Sequence, residues 1–155
     1  MKTSASRVQD ALASAGLSAR VVELPQSTRT AADAAKAIGC EVGQIAKSLV
    51  FRARESGSAI LVIASGTNRV NESTIASAIG EPIEKADAEF VRTRTGYAIG
   101  GVPPVGHVDA IRTFIDEDLL RFDRIWAAAG TPNAVFELSP AELPRLTRGA
   151  VVRVV

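Results

Sequence analysis

The sequence predicts an α+β domain built on a mixed, strongly curved or barrel-like sheet. Helical patterns alternate with strand patterns early in the chain, and strand-like runs dominate its last part. One run, AILVIAS at 59–65, is continuously apolar, which is typical of a central strand covered on both faces. The chain has 155 residues, of which 46% are apolar, and it contains no repeat or linker. We therefore expect one domain over 1–155.

The first part of the chain is predicted to begin with a helix, a strand and a second helix. Apolar residues at helical spacing predict a helix over 6–15 that stops at Gly16. ARVVEL predicts a strand that ends at Pro25. Alanines at the same helical spacing predict a helix over 31–38, closed by Gly39. Its cap-competent residues are Ser27, Thr28 and Thr30.

The next strand, KSLVFRA, carries the most informative basic residue. Alternation places Lys47 on the same face as Leu49 and Phe51, which enter the core. Because a lone ammonium is costly to bury, we expect Lys47 at the mouth of a cavity. Three alternatives stay open: the side chain extends into water, it pairs with a carboxylate, or another register turns it outward.

Two further helices follow the apolar run. NESTIASAIG, 71–80, predicts a helix that Asn71 caps. Asp87 is the expected cap of a helix over 88–95, which Gly96 closes.

The last part of the chain is predicted to hold four strands and one helix. The strands are AIRTFID, DRIWAAAG, NAVFEL and AVVRVV, and the helix lies in SPAELPRL, with a capping box from Ser139 to Glu142 and Pro140 at its first position.

Charge and composition exclude several function classes. With 18 Lys and Arg against 17 Asp and Glu, the chain has no net field to hold a long nucleic acid, although a local basic patch stays open. Cys40 is the only cysteine, which excludes an internal disulfide framework and a Cys-rich zinc site. No segment approaches the roughly 18 apolar residues of a membrane helix, so we expect a cytoplasmic protein without membrane or metal. The basic side chains of the middle third, some of which can contact phosphates, are Arg52, Arg54, Arg69, Lys85, Arg92 and Arg94.

The segment YAIGGVPPVGH, 97–107, concentrates three glycines, two prolines and the only histidine. Adjacent glycines permit close approach of a ligand and the prolines stiffen the segment, so its backbone N–H groups can be aimed at a developing oxyanion. An ordinary tight connection explains the same composition. His107 fits either acid–base work or a structural hydrogen bond. The turn at Gly130 and Thr131 fits either a plain hairpin or a second wall of a pocket.

Three motifs, GQIAKSLVF, YAIGGVPPVGH and AAAGTPNAVFEL, resemble the YbaK/EbsC family, also called the prolyl-tRNA synthetase-associated or editing domain. The resemblance extends from about residue 20 to the end of the sequence. It implies a mixed, mostly antiparallel curved sheet that forms a partial barrel surrounded by helices. It also implies a freestanding deacylase, without cofactor, that hydrolyses the ester of a mischarged tRNA. The implied partners are the acceptor end of tRNA(Pro) carrying Ala or Cys, and prolyl-tRNA synthetase, but not DNA.

The resemblance also assigns roles to residues. Lys47 is implied to hold the terminal adenosine or its phosphate and to orient the ester, while Gly100 and Gly101 bind the aminoacyl group through their backbone. The family relies on the substrate's own groups to assist attack, which agrees with the absence of a triad motif. Pro103 departs from the small polar residue of several relatives, so the amino acid removed stays open. A non-catalytic module that binds aminoacyl-adenosine, tRNA ends or a synthetase is the alternative. The implied substrate-binding residues are Val102, Pro103, Pro104, His107, Gly130 and Thr131.

Overall fold

The computed structural model describes residues 3–155, and eight strands in this part of the chain form one mixed sheet that does not close into a barrel. The strands are β1 Val22–Glu23, β2 Ile45–Ala53, β3 Ala59–Ser65, β4 Ile83–Lys85, β5 Arg112–Asp116, β6 Ile125–Ala128, β7 Ala134–Leu138 and β8 Ala150–Val152. They run in the order β1-β7-β6-β2-β3-β5-β8, and β4 pairs with β2 beside this path.

Antiparallel pairs outnumber parallel pairs in this sheet. β2 pairs antiparallel with β3 and β4, and β7 pairs antiparallel with β1 and β6. The pairs β2/β6, β3/β5 and β5/β8 are parallel. The predicted α+β class with a mixed, mostly antiparallel sheet among helices is confirmed.

Helices lie where side-chain caps were expected. Thr30, Asn71 and Asp87 each accept a hydrogen bond from a backbone N–H of the first turn, so the second, third and fourth helices begin directly after them. The first helix begins two residues earlier than predicted because Thr3 serves as its cap. The bounds are α1 Ser4–Ser14, α2 Ala31–Ile38, α3 Glu72–Ile79, α4 Ala88–Thr95 and α5 Glu142–Thr147, with 3-10 helices at Val42–Gln44 and Glu117–Arg121.

The start of the last helix and the length of the first strand differ from the prediction. The capping box at Ser139 is wrong: α5 begins only at Glu142, whose N–H donates to the main-chain carbonyl of Ser139 at 3.0 Å, because residues 139–142 form a turn before the helix. The first strand is much shorter than ARVVEL. The N–H of Val21 donates to the side chain of Gln9 in α1 at 2.8 Å, so it is not available to the sheet.

The core lies on both faces of β2 and β3. Every residue of β3 is buried, as a strand covered on both sides requires. Leu61 and Ile63 pack into the cluster that includes α1, and Val62 and Ala64 pack into a second cluster on the other face with Ile75 of α3.

Strand β2 has a gap along one edge. β6 pairs only with Ile45 and Ala46, and β4 pairs only with the residues from Phe51 onward, so residues 47–50 have no strand partner on that edge within the described chain. Ala53 N–H donates toward β3, to Ser58 O, and Arg54 N–H donates toward β4, to Pro82 O. Since alternate residues of a strand direct their backbone groups to opposite edges, those of Ser48 and Val50 point into the gap.

Candidate functional site

A cavity of about 740 Å³ lies at the gap in β2. Residues 45–51 of β2 form one wall, and residues 28–32, before and within the start of α2, form another. Residues 126–128 of β6 and parts of the segments 66–72, 85–91 and 99–102 also line it. The gap therefore gives a ligand access to the backbone of β2 as well as to its side chains.

Lys47 lines this cavity and is only partly buried, as expected for a lysine at its mouth. Within residues 3–155 its ammonium makes no ion pair and no hydrogen bond. Desolvation lowers the pKa of Lys47 below its ordinary value, while the charge of Asp116 acts in the opposite direction. The ammonium is thus a cation whose hydrogen-bonding capacity is free for a ligand, and of the alternatives for Lys47, pairing with a carboxylate is not observed.

Asp116, which the sequence analysis did not single out, supports this part of the site. It is 1% exposed. One carboxylate oxygen accepts from Ser65 N–H at 2.9 Å and from the Asn68 amide at 2.8 Å, and the other accepts from Asp118 N–H at 2.9 Å. These bonds fix the turn that carries Gly66 into the cavity wall. The sequence feature that could have identified Asp116 is a carboxylate at the end of an apolar strand.

The segment 97–104 forms a tight turn at the cavity. Gly101 N–H donates to Ala98 O at 3.0 Å, and Gly100 has a φ of 91°, which favours glycine at the third position of such a turn. Gly100 and Val102 line the cavity. The Gly101 N–H is already bonded within the turn, so it is not free to stabilise an oxyanion in this conformation.

Gly101 is the point where this turn meets the second glycine-rich turn. A Cβ on Gly101 would lie 3.0 Å from backbone atoms of Gly130 and Thr131, and Gly130 N–H donates to Gly101 O at 2.8 Å. Gly130 and Thr131 lie outside the cavity lining, behind the wall. Their neighbour Pro132 accepts at its carbonyl from the Thr28 hydroxyl at 2.8 Å, which positions Thr28 in the lining.

His107 also lies outside the lining. Its Nε2 lies 2.6 Å from Pro103 O, and because a carbonyl only accepts, Nε2 carries the proton. Burial lowers the pKa of His107, while the bond to Pro103 opposes this shift. A neutral imidazole therefore closes the loop that contains Pro103 and Pro104, both buried. Direct substrate contact stays a prediction for these three residues, as it does for Gly130 and Thr131.

Two further polar side chains at the cavity were not predicted from the sequence. The hydroxyl of Ser48 is buried and has no hydrogen-bond partner, although Ser48 belongs to the lining. Arg29 also lies at the cavity, beside Gly100. Ser48 lies in the motif GQIAKSLVF, but the motif did not indicate a role for its hydroxyl, and Arg29 lies in none of the three motifs. Only the packing of distant segments brings the two residues to one cavity.

Two classes of site are not found in the part of the chain that the structure covers. No group of three or more His, Cys, Asp or Glu side chains is placed to hold a metal ion. No helix among residues 3–155 is both long enough and apolar enough to cross a membrane.

Comparisons with known proteins agree on one family. The sequence profile of the aminoacyl-tRNA editing domain matches residues 25–146. The chain is 34% identical over 123 residues to the uncharacterized protein YwhH of Bacillus subtilis, covering 79% of this chain and 78% of that protein. It is 29% identical over 121 residues to "Putative Cys-tRNA(Pro)/Cys-tRNA(Cys) deacylase EbsC" of Enterococcus faecalis, covering 77% and 73%. A crystal structure of "a putative trans-editing enzyme for prolyl tRNA synthetase" superposes with a TM-score of 0.92 and 49% identity, over 99% of this chain and 98% of that one.

Proposed function

Since the chain belongs to the aminoacyl-tRNA editing domain family, we propose that it is a freestanding deacylase that hydrolyses the ester of a mischarged tRNA. The family predicted from the sequence motifs is thereby confirmed. The observation that carries the proposed activity is Lys47, a partly buried ammonium that makes no ion pair or hydrogen bond within residues 3–155, in the wall of a cavity of about 740 Å³.

Lys47 supplies the electrostatic part of the reaction. Its three N–H donors are free, so they can bind the terminal phosphate or the ester oxygen of an aminoacyl-adenosine. A positive charge aimed at the ester stabilises the oxyanion that forms during attack, and partial burial strengthens this interaction. The backbone groups of Ser48 and Val50 at the gap in β2 are further partners for the aminoacyl group.

The attacking group is water. His107 is bonded to Pro103 outside the lining, and Cys40, whose thiol pKa burial raises, is also outside it, so neither is placed as a nucleophile or base. Water adds to the ester carbonyl, the bond to the ribose oxygen breaks, and that oxygen takes a proton. The neighbouring ribose hydroxyl, or the thiol of a cysteinyl substrate, assists this attack, as the family resemblance implies.

The substrate proposed is tRNA(Pro) that carries alanine or cysteine. The cavity lining is mainly apolar and includes Leu49, Val91, Val102 and Trp126, which suits a small apolar side chain. One relative is named for Cys-tRNA(Pro) and another for prolyl tRNA synthetase. A pocket of this kind discriminates by only about 1–3 kcal/mol per methylene, so neighbouring amino acids belong in the same test.

The test is a panel of tRNA(Pro) charged with Ala, Cys, Ser, Thr or Pro. We expect release of Ala or Cys above the buffer rate, and a Lys47→Ala loss of about 10²-fold or more, the typical effect of removing one oxyanion donor. Lys36→Ala is the matched control, because Lys36 is exposed and lies outside the cavity lining. Equal rates for wild type and Lys47→Ala would remove Lys47 from the mechanism.

A binding module that does not hydrolyse its ligand is the second candidate. The Gly101 N–H favours this candidate, because it already donates to Ala98 O and leaves the turn with one donor fewer for an oxyanion. Tight binding of a non-hydrolysable aminoacyl-adenosine, without turnover of any charged tRNA in the panel, identifies this function.

A further inference from the structure

The cavity concentrates positive charge on a chain that is nearly neutral. The whole sequence has 18 Lys and Arg against 17 Asp and Glu. Within residues 3–155, the cavity lining contains Arg29, Lys47, Arg69 and Lys85 but only one carboxylate, that of Glu72. A local excess of this kind attracts anions even when the net charge is small.

Three of these cations lie at the rim rather than inside. Arg29, Arg69 and Lys85 are exposed, whereas Lys47 is partly buried. They come from separate segments, before α2, between β3 and α3, and at the end of β4. None of the three side chains makes an ion pair or hydrogen bond within the described chain, so their charges are not neutralised by the protein.

An apolar surface lies beside Arg29 on the same rim. Ile99 is 51% exposed and lines the cavity. The side chain of Arg29 lies over Gly100, with its Cγ 2.8 Å from the position that a Cβ there would occupy. An exposed aliphatic group and a guanidinium next to each other form a surface on which a nucleobase can stack.

We propose that Arg29, Arg69, Lys85 and Ile99, the cationic rim, bind the unpaired nucleotides that precede the terminal adenosine of an RNA 3′ end. This inference rests on the proposed function, which places that adenosine and its ester at Lys47. The three cations contact the phosphodiesters, and Ile99 with Arg29 stacks on a base. The rim thus positions the RNA 3′ end, while Lys47 acts on the ester.

The shape of the site favours a single strand over a folded acidic protein. The rim is continuous with a cavity of about 740 Å³, and only a narrow chain end can place its last unit inside while its preceding phosphates stay at the rim. The rim charges are also on exposed side chains, which suits a flexible backbone that needs positioning without sequence readout.

The first experiment measures binding of uncharged tRNA by fluorescence anisotropy at several salt concentrations. We expect Arg29→Gln, Arg69→Gln and Lys85→Gln each to weaken binding and to reduce the slope of log Kd against log salt by about 0.7, the value for one phosphate on a single strand. The combined triple variant is expected to lose about two units of slope. The matched control is the triple variant Arg20→Gln, Arg54→Gln and Lys36→Gln, whose residues are exposed and outside the lining.

The second experiment separates the rim from the reaction. The rim triple variant should lose at least about tenfold more kcat/KM on aminoacyl-tRNA than on an aminoacyl-adenosine ester, which lacks the preceding phosphates. Wild-type affinity and salt slope in that variant would overturn the proposal, as would equal losses in the control triple. If the wild-type chain cleaves neither ester, the proposed deacylase function fails, and the binding experiment still decides the role of the rim.

Discussion

At the scale of the residue, Lys47 combines a functional role with a cost in stability. Burial lowers its pKa, so folding disfavours its charged form, and the charge of Asp116 offsets this only in part. The unfolding free energy should therefore rise with pH through the window between the lowered pKa and the ordinary value of 10.5. We expect Lys47→Met to melt at a higher temperature than wild type near neutral pH while it loses deacylation. A lower melting temperature would mean that the ammonium has a stabilising partner.

His107 predicts a second pH dependence, in the acidic range. Its pKa is lowered in the folded chain, so the unfolded chain binds more protons between that lowered value and 6.5. The unfolding free energy should fall as the pH decreases below 6.5, because protonation places a charge on a partly buried imidazole. In His107→Gln this slope should be smaller, which urea titrations across the acidic range measure. Identical slopes in the two proteins would contradict a neutral, partly buried imidazole.

At the scale of the element, the sequence predicted the features that depend on residues close together in the chain. Side-chain caps at Thr30, Asn71 and Asp87 fix helix starts within three residues of chain, so the sequence shows them directly. The alternation of β2 likewise predicted the face of Lys47. The gap in β2 was not predictable, because it depends on where β4 and β6, which come later in the chain, stop pairing.

The turn at 97–104 was predicted by composition, but its hydrogen bonds were not. Glycines indicated close approach, and the structure places Gly101 against the backbone of Gly130 and Thr131 rather than against the cavity. The Ala98 carbonyl takes the donor that was expected to face a substrate. Composition identifies a tight turn, but which N–H groups remain free depends on the turn's own geometry.

Gly101→Ala tests this contact between two turns. A methyl group there would lie 3.0 Å from backbone atoms, which cannot move as a side chain can, so we expect a loss of about 1–3 kcal/mol in unfolding free energy. Gly39→Ala is the control: with a φ of 86° and no atom within 4 Å, it should cost about 1 kcal/mol from backbone strain alone. Urea denaturation compares the two. An equal or smaller loss in Gly101→Ala would show that the turns separate easily.

At the scale of the whole molecule, the two hydrophobic clusters share the same central strands. Leu61 and Ile63 belong to one cluster and Val62 and Ala64 to the other, so β3 contributes to both through alternate residues. Displacement of β3 would therefore disrupt the packing of both clusters. The cavity lies beside this shared centre, in the gap of β2, so the positions of its walls depend on both clusters.

This sharing predicts that the chain unfolds in one cooperative transition, as expected of a single domain. Trp126, the only tryptophan, lies on β6 at the cavity and reports on the side of the sheet formed by β1, β7 and β6. Far-UV circular dichroism reports on all elements together. In urea the two signals should have the same midpoint, because β6 pairs directly with β2 and the packing of both clusters disappears with β2 and β3. A fluorescence midpoint at clearly lower urea would instead mean that the β1-β7-β6 side melts separately, and that the cavity opens before the core does.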